Sequence, residues 1–314
     1  MRMRVLVLIA ALLSGLFSGG CGEVTNPVLG GKVAVVATFY PLYDFACKVG
    51  GERVRVTCLV PPGVSIHDWE PTPKDVARVV KADVFVYNGA GLEPWVERIL
   101  PECEGKPVEA TRGLTLLRFE AEAEGQGKTA GEHRHGVYDP HAWVDPVNAQ
   151  HYVEAIAAGL AEADPTGAAY YRERAAAYTR QLEMLDEAYR EAAARFTRRE
   201  IVTSHAAFGY LARRYGLEQI PVAGLSPQAE PSPARLQELV ALVRGRGIRY
   251  VFFETAASPR LAETLAREAG VQTLVLSPAA GLTPEERAGS KGYLAVMEDN
   301  LAVLQRALAE GGCP

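Results

Sequence analysis

The chain has 314 residues, 33 basic and 38 acidic side chains and a formal net charge of −5, with 48% hydrophobic residues. No basic cluster follows its first few residues, which excludes nucleic acid as a partner. The length and apolar content suit a globular protein of two domains. The five cysteines include no CxxC pair, which argues against a cysteine-built zinc site.

Arg2 and Arg4 precede the apolar run Val5–Phe17, which is shorter than the about 20 residues that cross a bilayer. Small residues then lead into Cys21, so residues 1–20 read as a signal peptide and not as a membrane helix. LFSGGC resembles the lipobox of bacterial lipoproteins, with Ser18 where an aliphatic residue is usual. That resemblance implies a lipid on Cys21, a tether over residues 21–31, and an extracytoplasmic protein anchored to the membrane.

From residue 32 onward strand-like and helical segments alternate. KVAVVATF, VRVTCLV and DVFVYN are β-branched apolar runs of buried-strand type. Residues 42–50, PKDVARVVKA and EPWVERIL have helical patterning between and after them. This alternation predicts an α/β lobe with a mostly parallel sheet over 32–160. Residues 119–139 are rich in glycine and charge and read as a flexible loop carrying His133 and His135.

The longest helical signal covers 165–196, with Pro165 suited to its first turn, inside a connecting segment set at 161–198. Tyr171, Ala175, Tyr178, Leu182, Leu185, Tyr189, Ala192 and Phe196 recur at steps of four and three, one apolar stripe on a helix of about 48 Å. Such a stripe could form a coiled-coil seam. A long rigid helix connecting two lobes fits better, because the α/β pattern resumes beyond it. Over 199–314 the strands are REIVTSH, LEQIPVAG, RYVFFE and VQTLVLS. They are separated by helical AAFGYLARRYG, SPARLQELVALVRGRG, with Ser232 as N-cap, and SPRLAETLAREAG. A last helix covers about Ser290 to Ala309.

Cys47, Cys58, Cys103 and Cys313 remain after Cys21. In an oxidising compartment an even count suggests disulfides, with Cys47 and Cys58 a candidate pair on a helix and the next strand. Equally, they are small buried residues.

Three histidines fall near carboxyl ends of predicted strands, where open α/β sheets bind ligands. His67 sits in PPGVSIHDWEPTP, a loop stiffened by Pro61, Pro62, Pro71 and Pro73. His141 lies in YDPHAWVDP, and His205 ends IVTSH. Neutral imidazoles are good donors to zinc, but there is no local spacing motif such as HExxH. Singly, each also reads as a surface or capping residue, as does His151.

PPGVSIHDWEPTPKD, DPHAWVDPVNA, VTSHAAFGYLARRYGL and FFETAASPRLAETLAREAG, in that order, resemble the zinc/manganese-binding solute-binding proteins, the cluster A-I lipoproteins, of bacterial ABC transporters. The resemblance implies two Rossmann-like lobes joined by the long helix, with a metal in the cleft between them. Carried over residue by residue, it makes His67, His141 and His205 the metal ligands. Ile66 replaces a proline common in the family. LSPAAGL places Ser277 and Ala280 where relatives often carry a carboxylate, leaving the fourth position to water or to Glu254, which could instead accept a hydrogen bond from a ligand imidazole.

Three imidazoles favour Zn2+ over Mn2+, which prefers oxygen ligands. The HRH of the loop over 119–139 agrees weakly. The implied role is a monomeric, non-enzymatic receptor that delivers zinc to an ABC permease and its ATPase subunit. The alternatives are a Mn2+ or Fe2+ receptor of the same family and a zinc-dependent hydrolytic enzyme with Glu254 as base. A surface adhesin, a role proposed for some relatives, has no support in these residues.

Overall fold

The computed structural model describes residues 31–119, 138–225, 231–254, 260–289 and 291–309. The leader with Cys21, the histidines His133 and His135, and Cys313 lie outside them. The elements run β1 (Val33–Ala37), α1 (Tyr40–Gly50), β2 (Val54–Cys58), α2 (Pro73–Val80), β3 (Val84–Tyr87), α3 (Val96–Ile99) and β4 (Lys106–Glu109). Then come α4 (Pro146–Ala163), α5 (Ala168–Ala194), β5 (Glu200–Thr203), α6 (Gly209–Tyr215), β6 (Glu218–Pro221) and α7 (Pro233–Gly245). The chain closes with β7 (Tyr250–Phe253), α8 (Arg260–Ala269), β8 (Gln272–Val275), α9 (Pro284–Ala288) and α10 (Tyr293–Leu308).

The strands form two all-parallel sheets of identical topology, β2-β1-β3-β4 and β6-β5-β7-β8. In each, the chain turns outward from the first strand and returns on its other side. The switch point therefore lies between β1 and β3 in one lobe and between β5 and β7 in the other. The strands recognisable in the sequence include all four central ones, β1, β3, β5 and β7. The alternation does not predict β4, KPVE. Its proline and charges fit an edge strand, where one backbone face needs no partner.

All eight stripe residues of the long helical segment are buried, from Tyr171 to Phe196. They pack inside the chain against α1, α4 and α10, which leaves them unavailable as a dimer seam. Met184, 70% exposed, lies on the opposite face. The 27 residues of α5 make it about 40 Å long. Residues Pro165–Gly167 form a 3-10 turn that separates it from α4.

That turn is fixed by Asp164. Its carboxylate accepts hydrogen bonds from Arg53 at 2.9 and 2.7 Å, from the Tyr171 hydroxyl at 2.8 Å and from Thr166 at 2.6 Å. The anchor thus ties the start of α5 to the turn between α1 and β2.

Cys47, Cys58 and Cys103 are free thiols, so the candidate Cys47–Cys58 pair does not form. The Cys58 thiol instead donates to the Val60 carbonyl at 3.4 Å, and the Cys47 thiol is hydrogen-bonded with Tyr43.

The Asp164 anchor yields a pH signature. Burial opposes its charge, but the hydrogen bonds from Thr166, Arg53 and Tyr171 outweigh burial and hold the carboxyl at about 2. A folded value below the unfolded one adds stability above the unfolded value, and that stability is lost as pH falls toward 2. Asp164→Asn should lower stability at pH 7 by about 2 kcal/mol. In urea unfolding, its deficit should shrink steadily between pH 5 and about 2.

Candidate metal centre

The three histidines separated in sequence meet at the facing edges of the two sheets. His67 stands on a 3-10 turn, Ile66–Asp68, beyond the end of β2, where the Ser65 hydroxyl accepts from the His67 backbone N–H at 3.3 Å. Ile66, in the place of the family's proline, is 4% exposed and packs into the core, which pins the turn from below. The loop is also tied across the cleft, since the Gly63 N–H donates to the Leu282 carbonyl at 3.1 Å.

His141 precedes a 3-10 turn leading into α4 and is completely buried. The Asp139 carboxylate accepts from its backbone N–H at 2.9 Å and from Nδ1 at 2.8 Å. Burial pulls the imidazole below its usual value, against the pull of Asp139, so it is neutral at neutral pH. His205 lies two residues past β5, 2% exposed, with Nδ1 at 2.5 Å from Glu254 Oε1. Its carbonyl accepts from the Thr203 hydroxyl and the Gln219 amide, which fixes the backbone.

A carboxylate partner on Nδ1 makes that nitrogen the donor and leaves Nε2 as a bare lone pair. Both His141 and His205 are set this way, and their Nε2 atoms are 3.4 Å apart. The Nε2 atoms of His67 and His141 are 3.2 Å apart. The three ligand atoms all fall within 4.8 Å of one another. Tetrahedral zinc with Zn–N bonds of 2.0–2.1 Å spaces its nitrogens by about 3.3 Å. Lone pairs aimed at one another repel, and a cation placed among them turns that repulsion into coordination.

Glu254 follows β7 directly, so His205 and Glu254 flank the switch point of the second sheet. Its position against His205 Nδ1 makes it the orienting partner of that ring, and it is not part of the three-residue cluster. At the matching crevice of the first sheet stands Glu93. It accepts from the Thr38 hydroxyl at 2.7 Å and from the backbone N–H groups of Asn88 and Gly89 at 2.8 and 3.1 Å. Burial pushes its carboxyl up to about 7 despite those bonds. Asn88 in turn donates to the Pro140 carbonyl at 3.0 Å, next to His141.

Sequence reasoning missed Asp139 and Glu93 as functional supports. The DPH triplet was a readable signal for the first, since an aspartate two residues ahead of a histidine can hydrogen-bond back onto it. His151 sits apart from the cluster and pairs with the Arg112 carbonyl at 2.8 Å. Ser277 is engaged with Asn300, through its N–H at 2.9 Å and its carbonyl at 2.6 Å. Ala280 lines the small cavity beside the histidines.

The sequence profile of the family described as ZnuA, zinc-uptake complex component A periplasmic, matches residues 35–307. The zinc-binding lipoprotein AdcA of Streptococcus pneumoniae is 40% identical over 313 residues, 99% of this chain but 62% of AdcA. The chain thus spans less than two thirds of that relative. The high-affinity zinc uptake system protein ZnuA of Bacillus subtilis is 41% identical over 283 residues, covering 89% of this chain and 88% of its own. The solved Zn(II)-bound ZnuA-like domain of Streptococcus pneumoniae AdcA superposes with a TM-score of 0.75 at 40% identity, over 88% of this chain and 99% of that domain. With twin parallel sheets, a long helix between them and a histidine cluster in the cleft, this chain belongs to the ZnuA family of periplasmic zinc-uptake components.

Proposed function

We propose that this protein is the extracytoplasmic receptor of an ABC importer. It captures Zn2+ on His67, His141 and His205 and hands it to a membrane permease driven by an ATPase subunit. The observation that carries this reading is the convergence of three imidazole nitrogens, two of them fixed as lone-pair donors by Asp139 and Glu254. Membership of the ZnuA family supports import as the purpose of the site. The lipobox-like LFSGGC supports anchoring through a lipid on Cys21, as a monomer tethered at the membrane.

The donor set favours zinc over manganese. Three imidazoles suit a borderline ion, whereas Mn2+ prefers carboxylate and water oxygens. Asp139 and Glu254, 5% and 4% exposed, bring two negative charges close to the site and balance a dication. The hydrolytic reading needs a base free to act on a metal-bound water. Glu254, the carboxylate that would serve, is committed to His205, which fits a receptor and not an enzyme.

The lobes are clamped around the site. Trp143 Nε1 donates to the Pro278 carbonyl at 2.7 Å and the Tyr40 hydroxyl to the Lys291 carbonyl at 2.8 Å. Arg214 pairs with the buried Asp145. With α5 spanning both lobes, capture and release proceed by local loop movement and slight tilting. Small-angle scattering of the metal-free and zinc-loaded protein should give nearly superimposable profiles, and a large closure would refute this.

Metal analysis and competition titration should find one zinc per chain, displaced poorly by manganese. His67→Ala, His141→Ala and His205→Ala should each weaken zinc binding by about 100-fold or more, while Glu254→Gln should cost about tenfold, as expected for a group that orients a ligand. Full affinity in His205→Ala would refute the site.

A further inference from the structure

We propose that the amino-end face of the second sheet, remote from the cleft, is a docking surface for anionic phospholipid headgroups. The proposal rests on the reading of the chain as a receptor tethered to a membrane through Cys21. It adds a face that holds the folded part against that membrane.

The arginines concerned are scattered along the sequence and gathered by the fold. Arg195 caps the end of α5, and Arg198 and Arg199 stand before β5. Arg244 lies in the last turn of α7, with Arg246 and Arg249 between it and β7. Arg267 and Arg306 lie in the last turns of α8 and α10. Seven of these eight are exposed, and Arg198 is partly so.

Hydrogen bonds join the element ends that carry them. The backbone N–H groups of Thr197 and Arg198 donate to the Leu308 carbonyl at 2.9 and 3.2 Å, and the Arg198 side chain donates to the Arg246 carbonyl at 3.1 Å. Arg244 donates to the Glu268 and Ala269 carbonyls. These bonds hold guanidinium groups in place against neutral carbonyls and leave their formal charge uncancelled.

Among the described residues three carboxylates share this face. Glu218 pairs with Arg246 at 2.8 Å, Glu268 lies 3.7 Å from Arg267, and Glu200 accepts from the Arg199 N–H at 3.2 Å. Eight guanidinium groups against three carboxylates leave five positive charges in excess, on a chain whose net charge is −5. An anionic surface is therefore drawn to this face and repelled by the remainder.

Two further observations favour a headgroup layer. A recess of about 660 Å³ is lined by Arg244 and Arg249, with Gly247 and Gly270 in its wall, and a Cβ at Gly270 would meet open space. A guanidinium fork matches a pair of phosphate oxygens, so the recess admits one phosphate while neighbouring arginines meet others of the layer. Reach is the second. α5, about 40 Å long, runs from the Asp164 anchor at the amino end of the first sheet to this face. β1 begins at that first end, and residues 22–32 span at most about 36 Å between it and Cys21. The tether nearly matches the helix, so the far face can lie down on the leaflet that carries Cys21. Basic side chains at the surface then add a second contact to the lipid anchor.

The test uses the chain from residue 22 onward, which keeps every described element, sedimented with phosphatidylcholine vesicles with or without phosphatidylglycerol. It should co-sediment only where phosphatidylglycerol is present and be released at about 1 M salt, where screening shortens to about 3 Å. Arg195→Gln, Arg267→Gln and Arg306→Gln combined should weaken binding by about 100-fold. Arg55→Gln, Arg98→Gln and Arg112→Gln combined make the same charge change on the first lobe and should leave it as in wild type. Both variants should still bind zinc, which reports that they are folded.

No binding to phosphatidylglycerol vesicles, equal binding without that lipid, or an equal loss in both variants would overturn the surface. So would capture by soluble polyphosphate of a chain that stays off the vesicles. Vesicle binding without zinc binding would support the surface and overturn the receptor reading. The wild-type arms decide the matter even where a variant fails to fold.

Discussion

Two buried carboxylate–imidazole hydrogen bonds, Asp139 to His141 and Glu254 to His205, govern the arrangement of the molecule. Each fixes a ring tautomer and aims an Nε2 lone pair at the other lobe. Because the two lone pairs end 3.4 Å apart, a shift between lobes of about 1 Å would leave the nitrogens outside the span of one metal ion. Burying two carboxylates is costly unless positive charge accompanies them. A dication bound at the histidine cluster would supply that charge and would link occupancy of the site to the stability of the cleft.

The rigidity that such spacing demands comes from contacts across the cleft. The Tyr210 hydroxyl, on α6, donates to the Asp139 carbonyl at 2.7 Å and accepts from the Leu117 N–H at 2.9 Å. One side chain of the second lobe thereby holds the segments on both sides of residues 120–137. The Tyr293 hydroxyl donates to the Trp143 carbonyl at 2.5 Å, joining α10 to the turn after His141. The two sheets share one topology but use their crevices differently. Glu93 closes the first with hydrogen bonds to the strand ends, and His205 with Glu254 opens the second toward the histidine cluster.

Much of the fold was legible because buried parallel strands are apolar on both faces. VAVVA, VFVY and YVFF stand out from their surroundings for that reason. The stripe from Tyr171 to Phe196 was equally readable, and its burial follows from helical periodicity. β4 was not, because an edge strand tolerates Pro107 and charged neighbours and so lacks an apolar signature. The break before α5 was readable from Pro165, but its anchor was hidden, since that depends on Arg53, more than a hundred residues away. The Cys47–Cys58 pairing failed because proximity in sequence does not fix which partner each thiol meets, here the Val60 carbonyl and Tyr43.

The sequence by itself determined the alternation of strands and helices apart from β4, the stiff loop around His67 and the absence of a carboxylate at Ala280. These are local properties, set by patterning, by proline geometry and by the identity of one residue. Only the tertiary structure decided that three histidines from three distant loops converge and that two of them present Nε2. Those facts depend on distances between sheet edges and on hydrogen bonds to partners in other segments, and no spacing along the chain encodes them.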